Sequence, residues 1–168
     1  MDKKWYVLQA KPLKEKKVFE QIHKKNIEVY LPTVETIRYW SDRKKKINVP
    51  LFPGYLFVFA DKHERYDAIS NTIGALRYLM YQRRFAVVKE EEINNIRISL
   101  VKPERVKIED ICLLEGDYVE ITGGIFKGLK GVIVQFRGNY KLMVCITEIN
   151  TTFSVELSNS EVNLINKI

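Results

Sequence analysis

The first hundred residues alternate between stretches with the period of a strand and stretches with the period of a helix. Strands are expected where β-branched and aromatic residues cluster, at 5–10, 27–40, 47–61 and 75–82. Helices are expected at 62–73, at 89–100 and at 12–26, where Val18, Phe19 and Ile22 share one face. The resulting order is β-α-β-β-α-β with one extra helix. It predicts a ferredoxin-like domain, in which an antiparallel sheet carries helices on one face.

The pattern changes after residue 100. Residues 101–110 are charged and have no clear period, so a linker is expected there. Beyond it, short alternating stretches are separated by glycine turns at 116–117, 123–124 and 138–139, while Gly128 and Gly131 suit further turns or close backbone approaches. This pattern of short strands and glycine turns predicts an SH3-like β-barrel. The chain is therefore expected to be an α+β protein with domains at 1–100 and 111–168, joined by a linker at 101–110.

Charge is distributed unevenly between the two predicted domains. Residues 1–100 contain 20 basic and 12 acidic side chains, whereas residues 101–168 contain 8 and 9. The formal net charge of +7 therefore belongs to the first domain, and it favours a polyanion as partner. The densest cluster is the run Arg43, Lys44, Lys45 and Lys46, which is expected to form a hairpin tip that contacts phosphate.

Several classes of protein are disfavoured by what the sequence lacks. The apolar stretch near the start is too short for a signal peptide, and no stretch approaches the length of a membrane span, so a cytoplasmic protein is expected. His23 and His63 have no ligand partner one helical turn away, and no nucleophile or phosphate-loop motif is present. We therefore expect no enzyme activity, no metal site and no cofactor.

The apolar stretch "VPLFPGYLFVF" at residues 49–59 raises the question of what covers it. Side chains alternate along a strand, so Leu56, Val58 and Ala60 are expected under the helices, with Tyr55, Phe57 and Phe59 on the opposite side of the sheet. Tyr6 and Tyr78 would extend this aromatic row if the strand register allows it. The alternative is that a helix or loop covers the row as ordinary core.

Two functional interpretations of the aromatic row compete. In one, bases stack on it as in an RNA recognition motif. The stretch "PGYLFVFA" partly resembles the longer signature of that motif. Pro53, Leu56 and Ala60 depart from that signature: Pro53 removes a basic residue and Leu56 is too bulky for a base to lie close. In the other interpretation, the row is a binding site for another protein.

Three stretches occur in a fixed order and together span nearly the whole chain: "WYVLQAKPLKEKKV", "VPLFPGYLFVFAD" and "EGDYVEITGGIFKGLKGVI". They resemble the transcription elongation factor NusG and its specialised paralogues, including RfaH-like and capsule-operon antiterminators. The third stretch resembles the KOW motif, and its pairing with the second is more specific than either alone. The resemblance implies a transcription elongation or antitermination factor.

The same resemblance implies where partners bind. The first domain would bind the clamp helices of RNA polymerase through an apolar depression at Tyr55 and Phe57, with Phe52 and Tyr6 beside them, and would suppress pausing or termination. Lys11, Lys24, Lys25 and Thr72 match positions near the non-template DNA of the elongation complex. The runner-up is an RNA-binding module that uses the aromatic sheet face without polymerase.

The barrel is also expected to bind a partner. In general NusG proteins a barrel loop carries Ile-Phe-Gly and contacts a ribosomal protein or the termination factor Rho. Glu148, Ile149 and Asn150 occupy that loop here. This change argues against Rho binding and favours a specialised, operon-restricted factor. A monomer is expected.

Overall fold

The computed structural model describes residues 2–110 and 115–168. The chain divides into two compact units, one ending at Glu90 and the other beginning at Glu91. The mixed α and β composition with antiparallel sheets agrees with the sequence prediction. Among the described residues, no helix combines the length and apolar character that crossing a membrane requires.

The first unit is built around one antiparallel sheet. Its strands are β1 (Lys4–Ala10), β2 (Glu28–Tyr30), β3 (Thr33–Tyr39), β4 (Lys44–Pro50), β5 (Tyr55–Ala60), β6 (Ala75–Tyr78), β7 (Met80–Tyr81), β8 (Arg84–Phe85) and β9 (Val87–Val88). Its helices are α1 (Glu15–Lys24) and α2 (Lys62–Ile69). The main sheet has the order β2-β5-β1-β6, and β9 also pairs with β1. The pairs β3–β4 and β7–β8 form separate two-stranded sheets.

Three of the four predicted strands in this unit are divided in two. Stretch 27–40 becomes β2 and β3 because Pro32 lies between them, and stretch 47–61 becomes β4 and β5 with a turn at Pro53–Gly54. Stretch 75–82 divides into β6 and β7. The prolines indicated the first two breaks from the sequence, since Pro32 suits a strand edge or break and Pro53–Gly54 a bend, whereas the division of 75–82 was not predicted.

The turn before β5 is held by a buried carboxylate. Gly54 has φ +83°, and Tyr55 N–H donates to Phe52 O at 3.1 Å, as in a type II turn with Pro53 at its second position. Gly54 N–H donates to Glu15 Oε1 at 2.8 Å, and Gly54 O accepts from Ala10 N–H at 2.9 Å. Because Glu15 is buried in the first turn of α1, the start of β5 is fixed to both α1 and β1.

One buried cluster of the first unit lies on the helix-covered side of its sheet. Leu56, Val58 and Ala60 belong to this buried cluster, together with Val18 and Ile22 of α1 and Ala68 of α2. The predicted aliphatic face of β5 is thus confirmed. The alternation arises because successive strand side chains point to opposite sides of the sheet.

The second unit contains one six-stranded antiparallel sheet. Its helices are α3 (Glu90–Ser99), which belongs to this unit from its second residue, and α4 (Asn159–Val162). Its strands are β10 (Val106–Glu109), β11 (Asp117–Ile121), β12 (Lys130–Phe136), β13 (Asn139–Ile146), β14 (Thr151–Leu157) and β15 (Ile165–Lys167). The sheet order is β10-β14-β13-β12-β11-β15. Asn95 of α3 is buried, and its Oδ1 accepts from Lys130 N–H at 3.1 Å, which attaches the helix to β12.

Gly131 makes the close approach that was expected of it. A Cβ at this position would lie 2.4 Å from Met143 O on the neighbouring strand β13, which is closer than any real Cβ contact. Gly128 has φ +87° and occupies the turn before β12. Both glycines are therefore required by backbone geometry.

The division of the chain differs from the expected one in two ways. Helix α3 lies in the second unit and not in a domain ending at residue 100. Residues 101–110 hold a 3₁₀ turn at Pro103–Arg105 and the edge strand β10, not a structureless linker. The charged residues that made β10 look like a linker in the sequence have partners on the sheet. For example, Lys107 Nζ pairs with Glu156 Oε1 at 2.8 Å. The expected start of the second domain, residue 111, lies outside the described residues.

Candidate functional site: an aromatic cluster and a basic surface

The aromatic side chains of β5 do not form an exposed row, because Phe57 at its centre is enclosed by other rings. Phe57 has 0% of its surface exposed, and the Phe52 ring stands perpendicular to it at a centroid distance of 6.0 Å. The centroid of the Tyr30 ring, on the neighbouring strand β2, lies 6.4 Å from that of Phe57. Of the predicted polymerase contacts on this face, Tyr55 alone keeps partial exposure, because Phe52 is buried like Phe57.

Tyr6 and Tyr78 do not extend this aromatic face. In the antiparallel register Tyr6 lies opposite Val58, and Tyr78 lies opposite Leu8, so both tyrosines share the helix-covered side with the aliphatic core. The expectation that they join the aromatic row is wrong, because the strand register places both side chains on the opposite side of the sheet from Tyr55 and Phe57. The partners of Tyr55 on its own face are instead Gln9 on β1 and residues of β5 two positions apart.

Tyr6 belongs to a second aromatic cluster arranged around Arg65. The Arg65 guanidinium carbon lies 4.7 Å from the Tyr6 ring centroid and 3.9 Å from that of Phe85. The Tyr78 hydroxyl donates to Arg65 O at 2.9 Å, and burial raises the pKa of Tyr78 well above its ordinary value. Tyr78 therefore remains a neutral hydrogen-bond donor, and this cluster stabilises the attachment of α2 to the sheet.

The predicted nucleic-acid residues around α1 divide into two groups. Lys11 and Lys24 are exposed, and in the described part of the chain their side chains have no hydrogen-bond or ion-pair partner. Lys25 instead donates to Asp67 O at 2.8 Å, to Ser70 O and to Thr72 Oγ1 at 2.8 Å. Its ammonium group thus satisfies carbonyl oxygens at the end of α2, where a cation is favourable.

Thr72 is not positioned for a nucleic-acid contact. Its side chain is buried, and Thr72 Oγ1 donates to Ala68 O at 2.6 Å while accepting from Lys25. The structure therefore gives Lys25 and Thr72 a joint role in ending α2. The sequence showed two adjacent lysines, and the partners that separate them lie more than forty residues away in the chain.

The basic run of the β3–β4 hairpin lies mostly in strand and not at the tip. The hairpin tip is Trp40–Arg43, where Trp40 N–H donates to Arg43 O at 2.9 Å, and Lys44 is already paired with Tyr39. Because the side chains alternate, Lys44 and Lys46 lie on one side of the hairpin and Lys45 on the other. All four basic residues of the run are exposed, but they do not form a single cluster.

The predicted partner loop of the second unit has little apolar surface to offer. Thr147–Ile149 form a 3₁₀ turn, and Ile149 is only 8% exposed. Asn150 is exposed and adopts the left-handed conformation with φ 48°, while Glu148 is half-buried. The aliphatic residue at this position therefore packs into its own unit.

Two groups of residues escaped the sequence interpretation. Glu15 was given no role, although it holds the Gly54 turn, and Tyr39 and Trp40 were included in a predicted strand without a role of their own. The signal for the second pair was their place beside the basic run, since exposed aromatic residues next to positive charge are typical of nucleic-acid contacts. Within residues 2–110 and 115–168, no group of three or more His, Cys, Asp or Glu is placed to hold a metal ion.

Comparison with known families defines the class of protein. Residues 3–97 match the NusG family model, described as transcription termination factor nusG, and residues 115–136 match the KOW motif. Since the first match spans more than half of the chain, the chain belongs to the NusG family.

Relatives and one solved structure cover nearly the same length. The chain is 28% identical over 180 residues to the transcription termination/antitermination protein NusG of Thermus thermophilus, covering 94% of this chain and 97% of that protein. It is 28% identical over 170 residues to the protein of the same name from Streptococcus pyogenes serotype M3, with coverages of 93% and 94%. A structure titled "Domain interaction in Thermotoga maritima NusG" aligns with a TM-score of 0.51 at 28% identity, over 99% of this chain and 97% of that chain. The protein is therefore a transcription elongation and antitermination factor.

Proposed function

We propose that this factor binds RNA polymerase, at its clamp helices, through the aromatic face of the first unit, and so suppresses pausing or termination. The observation that carries the proposal is Tyr55: it is half-buried, it lies on the same face of β5 as the enclosed Phe57, and the turn before it is fixed by Glu15. A tyrosine held in this way offers a large contact area with little loss of side-chain entropy on binding.

The details of the two folds belong to the same proposal. The sheet order β2-β5-β1-β6, with a helix after β1 and another after β5, supports a ferredoxin-like first unit. The six short antiparallel strands and the KOW match support an SH3-like barrel for the second. We propose a monomeric, cytoplasmic protein.

Replacing Tyr55 tests the polymerase contact. In Tyr55→Ala, the affinity of the full chain for purified RNA polymerase is expected to fall at least about tenfold, as for the central anchor of an interface. Tyr66→Ala is the matched control, because Tyr66 is 71% exposed on α2 and lies outside the proposed contact. Unchanged affinity of a folded Tyr55→Ala protein would contradict the proposal.

Phe57 is unsuitable for this test. Its ring is fully enclosed, so Phe57→Ala removes core packing and is expected to cost about 3–5 kcal/mol of folding free energy. Loss of polymerase binding in that variant would not distinguish a lost contact from an unfolded domain. Phe52 is buried in the same cluster and has the same disadvantage.

On polymerase, we propose that Lys11, Lys24 and the basic residues Arg43, Lys44, Lys45 and Lys46 face the non-template DNA. Their exposure supports phosphate contact, which supplies affinity but little sequence information. Lys25 and Thr72 are left out of this surface because they end α2.

The runner-up function, RNA binding on the aromatic sheet face without polymerase, has less support. Stacking needs ring faces that a base can reach, and neither Phe57 nor Phe52 has one. Leu56 faces the helix-covered core and so does not obstruct that side. The absence of an accessible row on β5 is the observation against this function.

We further propose a specialised, operon-restricted role in which the second unit does not couple to Rho. The buried Ile149 and the half-buried Glu148 support this, since the loop presents no aromatic side chain. A ribosomal protein stays a candidate partner of the second unit. In a transcription assay with purified Rho, adding the factor is expected to leave Rho-dependent termination without enhancement, and a clear enhancement would contradict this proposal.

A further inference from the structure

The far end of the β3–β4 hairpin exposes two aromatic side chains. Tyr39 is 72% exposed and Trp40 is 58% exposed, although aromatic rings of this size are usually buried in a domain of this kind. The hairpin forms its own two-stranded sheet, separate from the main sheet. The core therefore does not explain these two residues.

The strand register places the aromatic residues beside ammonium groups. Tyr39 pairs with Lys44, and Ile37 pairs with Lys46, so these four side chains share one side of the hairpin. Lys44 Nζ lies 5.1 Å from the centroid of the Tyr39 ring. Trp40 follows at the tip, next to Arg43. The far end of the hairpin, which comprises Tyr39, Trp40, Arg43 and Lys44, is called the hairpin face below.

The charge of the hairpin favours an anionic partner. Residues 33–50 contain five basic and two acidic side chains. One of the two acids, Glu35, is already paired with Lys46 at 2.9 Å. The tip therefore carries excess positive charge around its exposed rings. A polyanion with accessible flat faces satisfies both features, and an apolar protein surface satisfies one of them.

We propose that the hairpin face binds single-stranded nucleic acid by stacking bases on Tyr39 and Trp40 while Arg43 and Lys44 contact the flanking phosphates. This inference rests on the proposed nucleic-acid-facing surface and deepens it, because phosphate contact alone needs no aromatic residue. Single strands are favoured over duplex because their bases expose ring faces for stacking. DNA and RNA single strands share this chemistry.

The two tryptophans of the chain provide a direct measurement. Trp5 is 3% exposed, whereas Trp40 is 58% exposed, so a base that stacks at the tip changes the emission of Trp40 alone. Titrating the full chain with a 15-nucleotide oligothymidylate is expected to quench tryptophan fluorescence. Trp40→Phe is expected to abolish the quenching while keeping most of the affinity, since phenylalanine still stacks.

Affinity is measured separately with a labelled oligonucleotide. Tyr39→Ala combined with Trp40→Ala is expected to weaken binding about tenfold or more, as for the loss of stacked bases. Tyr66→Ala is the matched control and is expected to bind like the wild type. Lys44→Gln should reduce the slope of log affinity against log salt by about 0.7. Because both aromatic residues are exposed, the urea midpoint of the double variant should stay near that of the wild type, which verifies folding.

Parallel titrations use single-stranded RNA and duplex DNA of the same length. Tighter binding of one single strand identifies the preferred nucleic acid, and equal binding of both single strands supports stacking without sugar recognition. The proposal is wrong if duplex binds as tightly as single strands, or if the double variant keeps full affinity. It is also wrong if the double variant loses only polymerase binding, since the tip would then be a protein contact. The oligonucleotide assay does not need polymerase. A negative result in it would therefore leave the proposed polymerase contact at Tyr55 to be tested separately.

Discussion

Lys24 and Lys25 are adjacent lysines with different environments. Lys24 is exposed at the end of α1, whereas the Lys25 ammonium group donates three hydrogen bonds near the end of α2. A sequence pattern treats them alike because both follow a helical stretch. Only the position of α2 beside α1 separates a surface charge from a structural one.

Replacing each lysine separates the two roles. Lys25→Ala leaves carbonyl oxygens at the end of α2 unsatisfied and is expected to lower the free energy of unfolding by about 1–3 kcal/mol, measured by urea denaturation. Lys24→Ala should change it by less than about 0.5 kcal/mol. In oligonucleotide binding, Lys24→Ala is expected to have the larger effect of the two variants, because it lowers the dependence of affinity on salt concentration. A Lys25→Ala protein as stable as the wild type would contradict the structural role of Lys25.

At the scale of elements, proline marked a break that the sequence could indicate, and charge concealed a strand that it could not. Pro32 lies between β2 and β3, because proline cannot donate to a ladder. Strand β10 was missed, since its alternating charges are typical of a solvent-exposed linker. In the structure Glu109 accepts from Ser154 Oγ and pairs with Lys141 at 3.0 Å, so the edge strand satisfies its charges on the sheet.

Acid is expected to loosen this edge strand. The Ser154 hydroxyl and the Lys141 ammonium group lower the pKa of Glu109, and Lys107 lowers the pKa of Glu156. A carboxyl whose folded-state pKa is depressed stabilises the fold above its unfolded pKa, here close to 4.5, and this stabilisation is lost as pH falls through the folded value. Amide protection of residues 106–109, corrected for intrinsic exchange, should therefore fall below about pH 4.5.

Glu109→Gln is the control for the acid prediction. This variant should already show reduced protection of β10 at neutral pH, and the dependence on acid should be weaker than in the wild type. Wild-type protection that stays constant down to pH 3 would contradict the role given to this carboxylate.

At the scale of the whole molecule, the two units differ in charge as well as in fold. The excess of basic residues lies in the first hundred positions, and the second unit is built from short antiparallel strands. An anionic partner is therefore favoured by the first unit and not by the second. The match to the KOW motif over 115–136 lies within the second unit, whereas the match to the NusG model over residues 3–97 extends past Glu90 into α3.

The sequence by itself determined the alternation along β5, the mixed α and β composition and the family. Side-chain alternation is a local property of a strand, and motifs such as "LFPGYLFV" are local as well, so both can be recognised without contacts. The tertiary structure alone decided which aromatic residues are accessible. Phe57 is enclosed because Phe52 and Tyr30 lie against it, whereas Tyr39 and Trp40 are exposed because their hairpin stands apart from the main sheet. Accessibility depends on residues distant in sequence, and no local pattern contains that information.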